Sequence, residues 1–203
     1  THCTSSAASD VYKRQAILSS GSGSNAQALI EHFAQSPWGR IEILVTNNPK
    51  AGVIQRAERL GVACKIFNPK TQCDEILLLL ESSADIILLA GYLRKIPVNW
   101  TRAFEGRMFN IHPSLLPKFG GKDMYGRYVH EAVSAAGESV TGITVHHVNE
   151  NYDDGAIVAQ YEVEITPGEA PHSIEEKVRA LELEYFGPTI ESWIAQLSEQ
   201  QWW

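Results

Sequence analysis

Residues 108–118 read MFNIHPSLLPK, and the organisation of the whole chain follows from this stretch. It begins as an apolar strand that carries two polar residues, Asn110 and His112. The proline at 113 keeps His112 extended, and side chains at i and i+2 of a strand point to one face. An amide can hold a developing oxyanion, and an imidazole can transfer protons near neutral pH. The pair therefore indicates a catalytic site, although polar pairs at strand ends also occur for solubility alone.

Length and charge restrict the class of protein. The chain has 203 residues, which fits one domain, and its 44% hydrophobic and 20% charged residues are ordinary for a soluble globular protein. The formal net charge of −7 argues against non-specific binding of nucleic acid, which needs a basic surface. A small anionic ligand held by a local site remains compatible with this charge.

Three cysteines, Cys3, Cys64 and Cys73, are an odd number without the spacing of metal ligands. We therefore expect reduced thiols, a cytoplasmic location and no metal site. No run of about 18 apolar residues exists in the sequence, so we expect no membrane span.

The N-terminal residues lack an initiating Met and the basic and apolar regions of a signal peptide. Residues 1–13 are predicted to be a disordered or non-native extension, and residues 14–203 a single domain. The sequence gives no physical reason for Trp202 and Trp203 at the other end of the chain.

Strands alternate with helices through the first half of the chain. Apolar and β-branched runs at 41–46, 63–67 and 86–90 predict strands, and helical spacing predicts helices over 53–60 and 73–81. This alternation predicts an α/β fold with a doubly wound, mainly parallel sheet flanked by helices. Ligands of such sheets bind outside the carboxyl ends of the strands.

The first strand runs into the loop SGSGSN at residues 20–25, and a helix follows. This geometry directs free backbone N–H groups and the positive end of a helix at an anion, so the loop is a candidate phosphate site. The loop lacks the Lys of a P-loop and the third glycine of a dinucleotide fingerprint, and a plain strand-to-helix turn is the alternative.

The second half continues the alternation. The glycine-rich loop 118–127 is interpreted either as a mobile lid or as a surface connection, and the helix after it is predicted to expose His130. A strand over 141–148 places His146 and His147 on opposite faces. A last helix is predicted to start at a capping box at Ser173 and to be interrupted at Gly187-Pro188.

The run Asn-Ile-His-Pro-Ser-Leu-Leu-Pro-Lys at 110–118 resembles the signature segment of the folate-dependent formyltransferases. The Gly-Ser-Asn at 23–25 and the Leu-Arg-Lys-Ile at 93–96 resemble two further family segments, and the three occur in the family's order. The resemblance spans roughly residues 16–193 and implies the Rossmann-like fold of that family.

The resemblance also implies roles for individual residues. Asp153 is the match for a catalytic acid, but Asp154 stands where the family often has glycine, so the choice between them stays open. A solvated surface carboxylate is the alternative for Glu182, and a solvated Arg-Lys pair is the alternative for the 94–95 segment. The implied sets are the catalytic residues Asn110, His112 and Asp153; Gly23, Ser24 and Asn25 for a ribose phosphate with Glu182 near the substrate amine; and Leu93, Arg94, Ile96 and His146 for the folate.

The implied reaction is transfer of a formyl group from 10-formyltetrahydrofolate to the amino group of glycinamide ribonucleotide, without a metal, in purine biosynthesis. Expected partners are these small molecules only, with no nucleic acid or membrane, and the protein would be a monomer or homodimer. One alternative is another folate-dependent formyl-transfer or deformylase enzyme, for whose additional domains the chain has no room. The other is a non-catalytic phosphate- or nucleotide-binding α/β module.

Overall fold

The computed structural model describes residues 12–199, so residues 1–11 of the predicted extension, together with Trp202 and Trp203, lie outside the described part of the chain. The first strand begins at Lys13, one residue before the predicted start of the domain. The elements are β1 Lys13–Leu18, α1 Ser24–Phe33, β2 Gly39–Thr46, α2 Val53–Arg59, β3 Ala63–Ile66, α3 Cys73–Ser83, β4 Ile86–Leu89, α4 Val98–Ala103, β5 Met108–His112, α5 Arg127–Ala135, β6 Val140–His147, β7 Ile157–Glu164 and α6 Pro171–Glu199.

These strands form one seven-stranded sheet in the order β3-β2-β1-β4-β5-β6-β7. The strands β1 to β5 are parallel to one another. The strand β6 is antiparallel to β5, and β7 is antiparallel to β6. The predicted doubly wound, mainly parallel sheet is therefore confirmed, with an antiparallel pair at one edge.

Both faces of the central strands are buried, which explains their sequences. All four residues of β4, IILL, are buried. In β1, Ile17 packs into one hydrophobic cluster, whereas Ala16 and Leu18 pack into the other on the opposite face. Strands buried on both faces read as continuous apolar runs rather than alternating ones.

The helices cover the sheet in two layers. The cluster on one face contains buried residues of α1, α2, α5 and α6, including Phe33 and Phe186. The cluster on the other face contains residues of α3 and α4, including Leu80 and Trp100. The core thus lies on both sides of one central sheet, as in other three-layer α/β proteins.

The chain reverses its winding between β1 and β4, because β2 and β3 lie to one side of β1 and β4 and β5 lie to the other. Such a switch point opens a crevice beyond the carboxyl ends of the two strands. The loop after β1 and the loop after β4 border that crevice, and the end of β5 lies beside it.

Two predictions about the last helix are wrong. The helix α6 begins at Pro171, before the predicted cap at Ser173, and Ser173 Oγ donates instead to Glu169 Oε1 at 2.5 Å. The helix also continues through Gly187 and Pro188 to Glu199. Buried contacts maintain it across the proline, since the helical residues Phe186, Ile190 and Ile194 all lie in the core.

None of the helices within residues 12–199 combines the length and the apolar character that crossing a membrane requires.

Candidate functional site

The side chain of Asn110 is oriented by the strand beside it. In the antiparallel register of β5 and β6, Asn110 lies directly opposite His146. Directly opposed residues bring their side chains into contact, and Asn110 Nδ2 lies 3.1 Å from His146 Nε2.

The tautomer of His146 decides which atom of Asn110 faces it. His146 Nδ1 lies 2.8 Å from the carbonyl oxygen of His147, which can only accept, so Nδ1 carries the proton. Burial lowers the pKa of His146, which keeps the ring neutral and leaves Nε2 as an acceptor. Asn110 therefore donates one N–H to His146, and no hydrogen bond of its second N–H to any residue in the described part of the chain is found.

The Asp153 carboxylate lies beside both histidines. Its Oδ2 lies 3.5 Å from His112 Nδ1, and its Oδ1 lies 3.6 Å from His146 Nε2. The backbone N–H of Gly121 donates to Oδ2 at 2.9 Å. The geometry places Asp153, with only 11% of its side chain exposed, in the cluster, whereas the exposed Asp154 accepts a hydrogen bond from Asn151.

Both ring nitrogens of His112 face protein acceptors. Nδ1 faces Asp153, and Nε2 lies 2.8 Å from the carbonyl oxygen of Phe119. A doubly protonated ring satisfies both acceptors, because a neutral imidazole has only one N–H. His112 can donate to a third oxygen only after one of these two contacts opens.

The loop after β1 presents unpaired backbone donors. Gly23 has a φ of +82°, and a side chain there would collide with Val53, so only glycine allows this turn. Among the described residues, no acceptor is found for the backbone N–H groups of residues 21–26. These N–H groups and the start of α1 form a concave site suited to an anion.

Asn25 and Glu182 connect this loop to α6. Asn25 Nδ2 donates to Glu182 Oε2 at 3.0 Å. Loss of hydration raises the pKa of Glu182, and the hydrogen bond from Asn25 opposes the shift. A carboxyl group in such a position can hold a hydroxyl or amino group of a ligand.

The segment after β4 forms the opposite wall of the site. Leu93 is 53% exposed, Arg94 is exposed, and Ile96 is buried. The backbone N–H of Leu93 donates to Ser20 Oγ at 3.2 Å, which links this wall to the loop after β1. An apolar wall with a cation at its edge fits a flat ring system that carries carboxylates.

These parts border one cavity of about 550 Å³. The structure brings together every residue that the sequence predicted for the site, and none lies elsewhere. They are Gly23, Ser24, Asn25, Leu93, Arg94, Ile96, Asn110, His112, His146, Asp153 and Glu182.

The prediction that His130 is exposed is wrong, and Arg179 was not among the predicted site residues. His130 is only 4% exposed and lines the cavity, and burial lowers its pKa. The burial of His130 could have been predicted from the sequence, because its helical neighbours Val129 and Val133 mark the buried face of α5. Arg179 lines the cavity one helical turn before Glu182, so the same helical spacing could have identified it.

Residues 121–126 of the glycine-rich loop also line the cavity. Two non-glycine residues of the loop 118–127, Phe119 and Asp123, have positive φ angles of 55° and 69°. The loop is therefore part of the site wall, and both interpretations of it remain predictions.

The described residues contain no group of three or more His, Cys, Asp or Glu side chains arranged to hold a metal ion. The chemistry that the arrangement supports is acyl transfer, in which an amide donor stabilises an oxyanion and an imidazole-carboxylate pair handles protons.

Comparison with known proteins finds a matching family and several similar proteins. The family model described as formyl transferase matches residues 13–190. The chain is 39% identical over 188 residues to "Phosphoribosylglycinamide formyltransferase, chloroplastic" of Vigna unguiculata, covering 89% of this chain and 60% of that protein. It is 36% identical to the phosphoribosylglycinamide formyltransferase of Bacillus subtilis (strain 168), covering 88% of this chain and 93% of the relative.

Among solved structures, glycinamide ribonucleotide transformylase 1 from Geobacillus kaustophilus superposes with a TM-score of 0.81 and is 39% identical. The match covers 90% of this chain and 98% of that one. The plant relatives are longer, and the chain spans 60% of their length.

Proposed function

This chain belongs to the formyl transferase family, and we propose that it transfers the formyl group of 10-formyltetrahydrofolate to the amino group of glycinamide ribonucleotide, 5'-phosphoribosylglycinamide. This reaction belongs to de novo purine biosynthesis. The names of relatives from Vigna unguiculata and Bacillus subtilis support it.

One observation carries the proposal. The free N–H of Asn110 and the His112–Asp153 pair border the same cavity as the loop at Gly23 with its unpaired backbone N–H groups. Oxyanion stabilisation, proton transfer and phosphate binding are the three requirements of formyl transfer to a phosphorylated amine. A protein nucleophile is not required, because the substrate amine attacks directly.

The chemistry follows from these positions. The amine nitrogen attacks the formyl carbon, and the carbonyl oxygen becomes an oxyanion that Asn110 can stabilise with its second N–H. Collapse of the tetrahedral intermediate breaks the bond between the formyl carbon and the folate nitrogen. We assign the proton transfer to His112 with Asp153: a protonated His112 gives a proton to that folate nitrogen and then takes up the proton lost by the amine.

His112 also stabilises the oxyanion in this proposal. Its Nε2–H is engaged by the carbonyl of Phe119, so donation to the oxyanion requires that contact to open. Until then His112 in its protonated form acts on the oxyanion through its positive charge, and the Asp153 carboxylate, 3.5 Å from Nδ1, orients the ring.

The remaining residues bind the two substrates. We place the phosphate on the backbone of Gly23, Ser24 and Asn25, and the substrate amine and ribose near Glu182. The guanidinium of Arg179, on the same helix face as Glu182, is a further group for the phosphate. We place the folate against Leu93, Arg94, Ile96 and His146.

We further propose that residues 14–203 act as one domain and that the protein works in the cytoplasm as a monomer or homodimer. Cys64 and Cys73 are both free thiols, as expected in a reducing compartment. Small molecules are the proposed partners, without nucleic acid or membrane, and no metal takes part.

The alternative is a non-catalytic module that senses a phosphorylated nucleotide through the loop after β1. Purified protein mixed with 10-formyltetrahydrofolate and glycinamide ribonucleotide distinguishes the two through the absorbance change of the folate. We expect a change that requires both substrates. Ribonucleotide binding without any turnover would support the sensor, and turnover of the folate alone would support a deformylase.

A further inference from the structure

The carbonyl groups of the loop after β1 are held by α2, on the side away from the cavity. The backbone N–H of Val53 donates to the carbonyl oxygen of Gly21 at 3.2 Å. Arg56 Nε donates to the carbonyl oxygen of Ser22 at 2.8 Å. Gly52 lies against the same peptide, because a side chain there would contact Ser22 at 3.3–3.4 Å.

This arrangement turns backbone N–H groups toward the place where an anion would bind. A peptide unit points its N–H and its C=O in opposite directions, so anchoring the carbonyls on one side turns the N–H groups to the other. A carbonyl oxygen that rotated toward the cavity would repel a phosphate and remove a donor. The bond from Arg56 therefore favours the orientation of the loop that binds anions.

Arg56 is suited to this task by its shape. While Nε holds Ser22, its Nη1 donates to Gln27 Oε1 on α1. The planar guanidinium thus connects the loop, α1 and α2 at fixed angles, which a flexible ammonium group does not do.

The neighbouring Arg59 provides an internal comparison. Its Nη2 donates to the same Gln27 Oε1 at 2.7 Å, but it makes no hydrogen bond to the loop. Both arginines lie on the same short helix with the same charge. They differ in the contact with Ser22.

We propose that Arg56 is a positioning residue for the anion site, which holds the Ser22 carbonyl away from the cavity so that the loop N–H groups face the phosphate. The identification of the anion as the phosphate of the ribonucleotide rests on the proposed function. The binding of a simple anion by the loop is independent of that function.

The test compares Arg56→Ala with the matched control Arg59→Ala. Loss of one hydrogen bond to a charged group is expected to raise the KM for the ribonucleotide and the Kd for inorganic phosphate by about tenfold in Arg56→Ala. The kcat at saturation and the KM for the folate should stay within about twofold of wild type. Arg59→Ala should leave all four constants within about twofold.

Arg56→Lys separates charge from geometry. It keeps the charge but lacks the planar fork, so we expect only partial recovery of phosphate affinity. Equal losses in Arg56→Ala and Arg59→Ala, with complete recovery in Arg56→Lys, would show a general charge effect and overturn the proposal. If Arg56→Ala does not fold, Arg56→Gln, which keeps a neutral donor, takes its place in the same comparison.

Calorimetry with inorganic phosphate keeps the two proposals separate, because it needs no turnover. If the wild type does not turn over but phosphate affinity depends on Arg56, the proposed function fails and the positioning role stands. Wild type that binds no phosphate, or unchanged phosphate affinity in folded Arg56 variants, would overturn the positioning role whatever the enzyme catalyses.

Discussion

The orientation of the Asn110 amide depends on the protonation state of the neighbouring His146 as well as on the position of Asn110 in β5. Because His146 Nδ1 donates to the backbone of His147, its Nε2 can only accept from Asn110. That contact directs the amide nitrogen of Asn110, and not its oxygen, toward the centre of the site. Protonation of His146 would remove the acceptor and release the amide.

Replacing Asn110 with Ala tests this donor. We expect kcat to fall by on the order of 10²–10³, because a preorganised donor to the oxyanion is lost. Asn99, an exposed residue of α4, provides the same substitution outside the cavity, and Asn99→Ala should keep wild-type kcat. Steady-state kinetics with both substrates measures this, and an Asn110→Ala activity within about twofold of wild type would remove Asn110 from the mechanism.

Three buried or half-buried histidines predict how stability changes with pH. Burial lowers the pKa of His130, His146 and His147 in the folded protein. The unfolded chain therefore binds protons more tightly, so this stability is complete above about pH 6.5 and is lost as pH falls below it. Each histidine contributes at most about 1.4 kcal/mol per pH unit.

His147→Phe should reduce that loss, because the ring packs against Phe109 and Trp193 and its Nδ1 has no partner among the described residues. Urea unfolding at pH 7.5 and 5.5 should show a smaller drop than in wild type, by up to roughly 1 kcal/mol. His172→Phe, at an exposed position, is the control. An equal or larger drop in His147→Phe would refute the assignment. The raised pKa of Glu182 makes stability change with pH in the opposite direction. This contribution is the same in the wild type and in both variants.

At the scale of elements, the continuity of α6 is the feature that local sequence signals obscured. Gly187 and Pro188 both disfavour a helix, but they have different surroundings. Gly187 is buried against His32 of α1, where an added Cβ would lie 2.8 Å from the ring carbon Cγ. Pro188 is exposed.

Replacing each of these two residues with Ala should therefore change the stability of the protein in opposite directions. Gly187→Ala should destabilise the protein by about 1–3 kcal/mol through overpacking against α1, although Gly→Ala usually stabilises a helix. Pro188→Ala should stabilise it by about 1–3 kcal/mol, because the new N–H can join the helix. Urea unfolding of both variants measures this. A stabilising Gly187→Ala would mean that α1 and α6 are not in close contact there.

The sequence predicted the positions of most elements, but not the direction of the last two strands or the continuity of α6. Local patterns predicted the elements around Ile86 and Asn110, because apolar runs and helical spacing are local properties. They did not give the antiparallel direction of β6 and β7, which depends on how the chain returns to the sheet. The continuation of α6 through Pro188 depends on core contacts from distant elements, and these override a local helix breaker.

For the molecule as a whole, the predicted site residues line one cavity, and they come from short motifs whose order implies a family. What the motifs could not supply was geometry. The contacts of the Asp153 carboxylate with His112 and His146, which favour Asp153 over Asp154, could not be read from a motif. The double engagement of His112 and the role of Arg56 needed contacts between residues far apart in sequence.

The whole molecule also combines a net charge of −7 with a site proposed to hold an anion. Overall electrostatic attraction therefore cannot supply the binding. Local backbone dipoles and single guanidinium groups must do so, which is consistent with the unpaired N–H groups after β1.

The fate of the formyl group itself shows directly whether this protein is a formyltransferase. Protein incubated with 10-formyltetrahydrofolate carrying an isotopic label on the formyl carbon and with glycinamide ribonucleotide should yield one labelled ribonucleotide per tetrahydrofolate released. In Asn110→Ala both products should appear at a rate on the order of 10²–10³ lower. Label found only in free formate, or only in unreacted folate while the ribonucleotide remains bound, would contradict formyl transfer as the function of this protein.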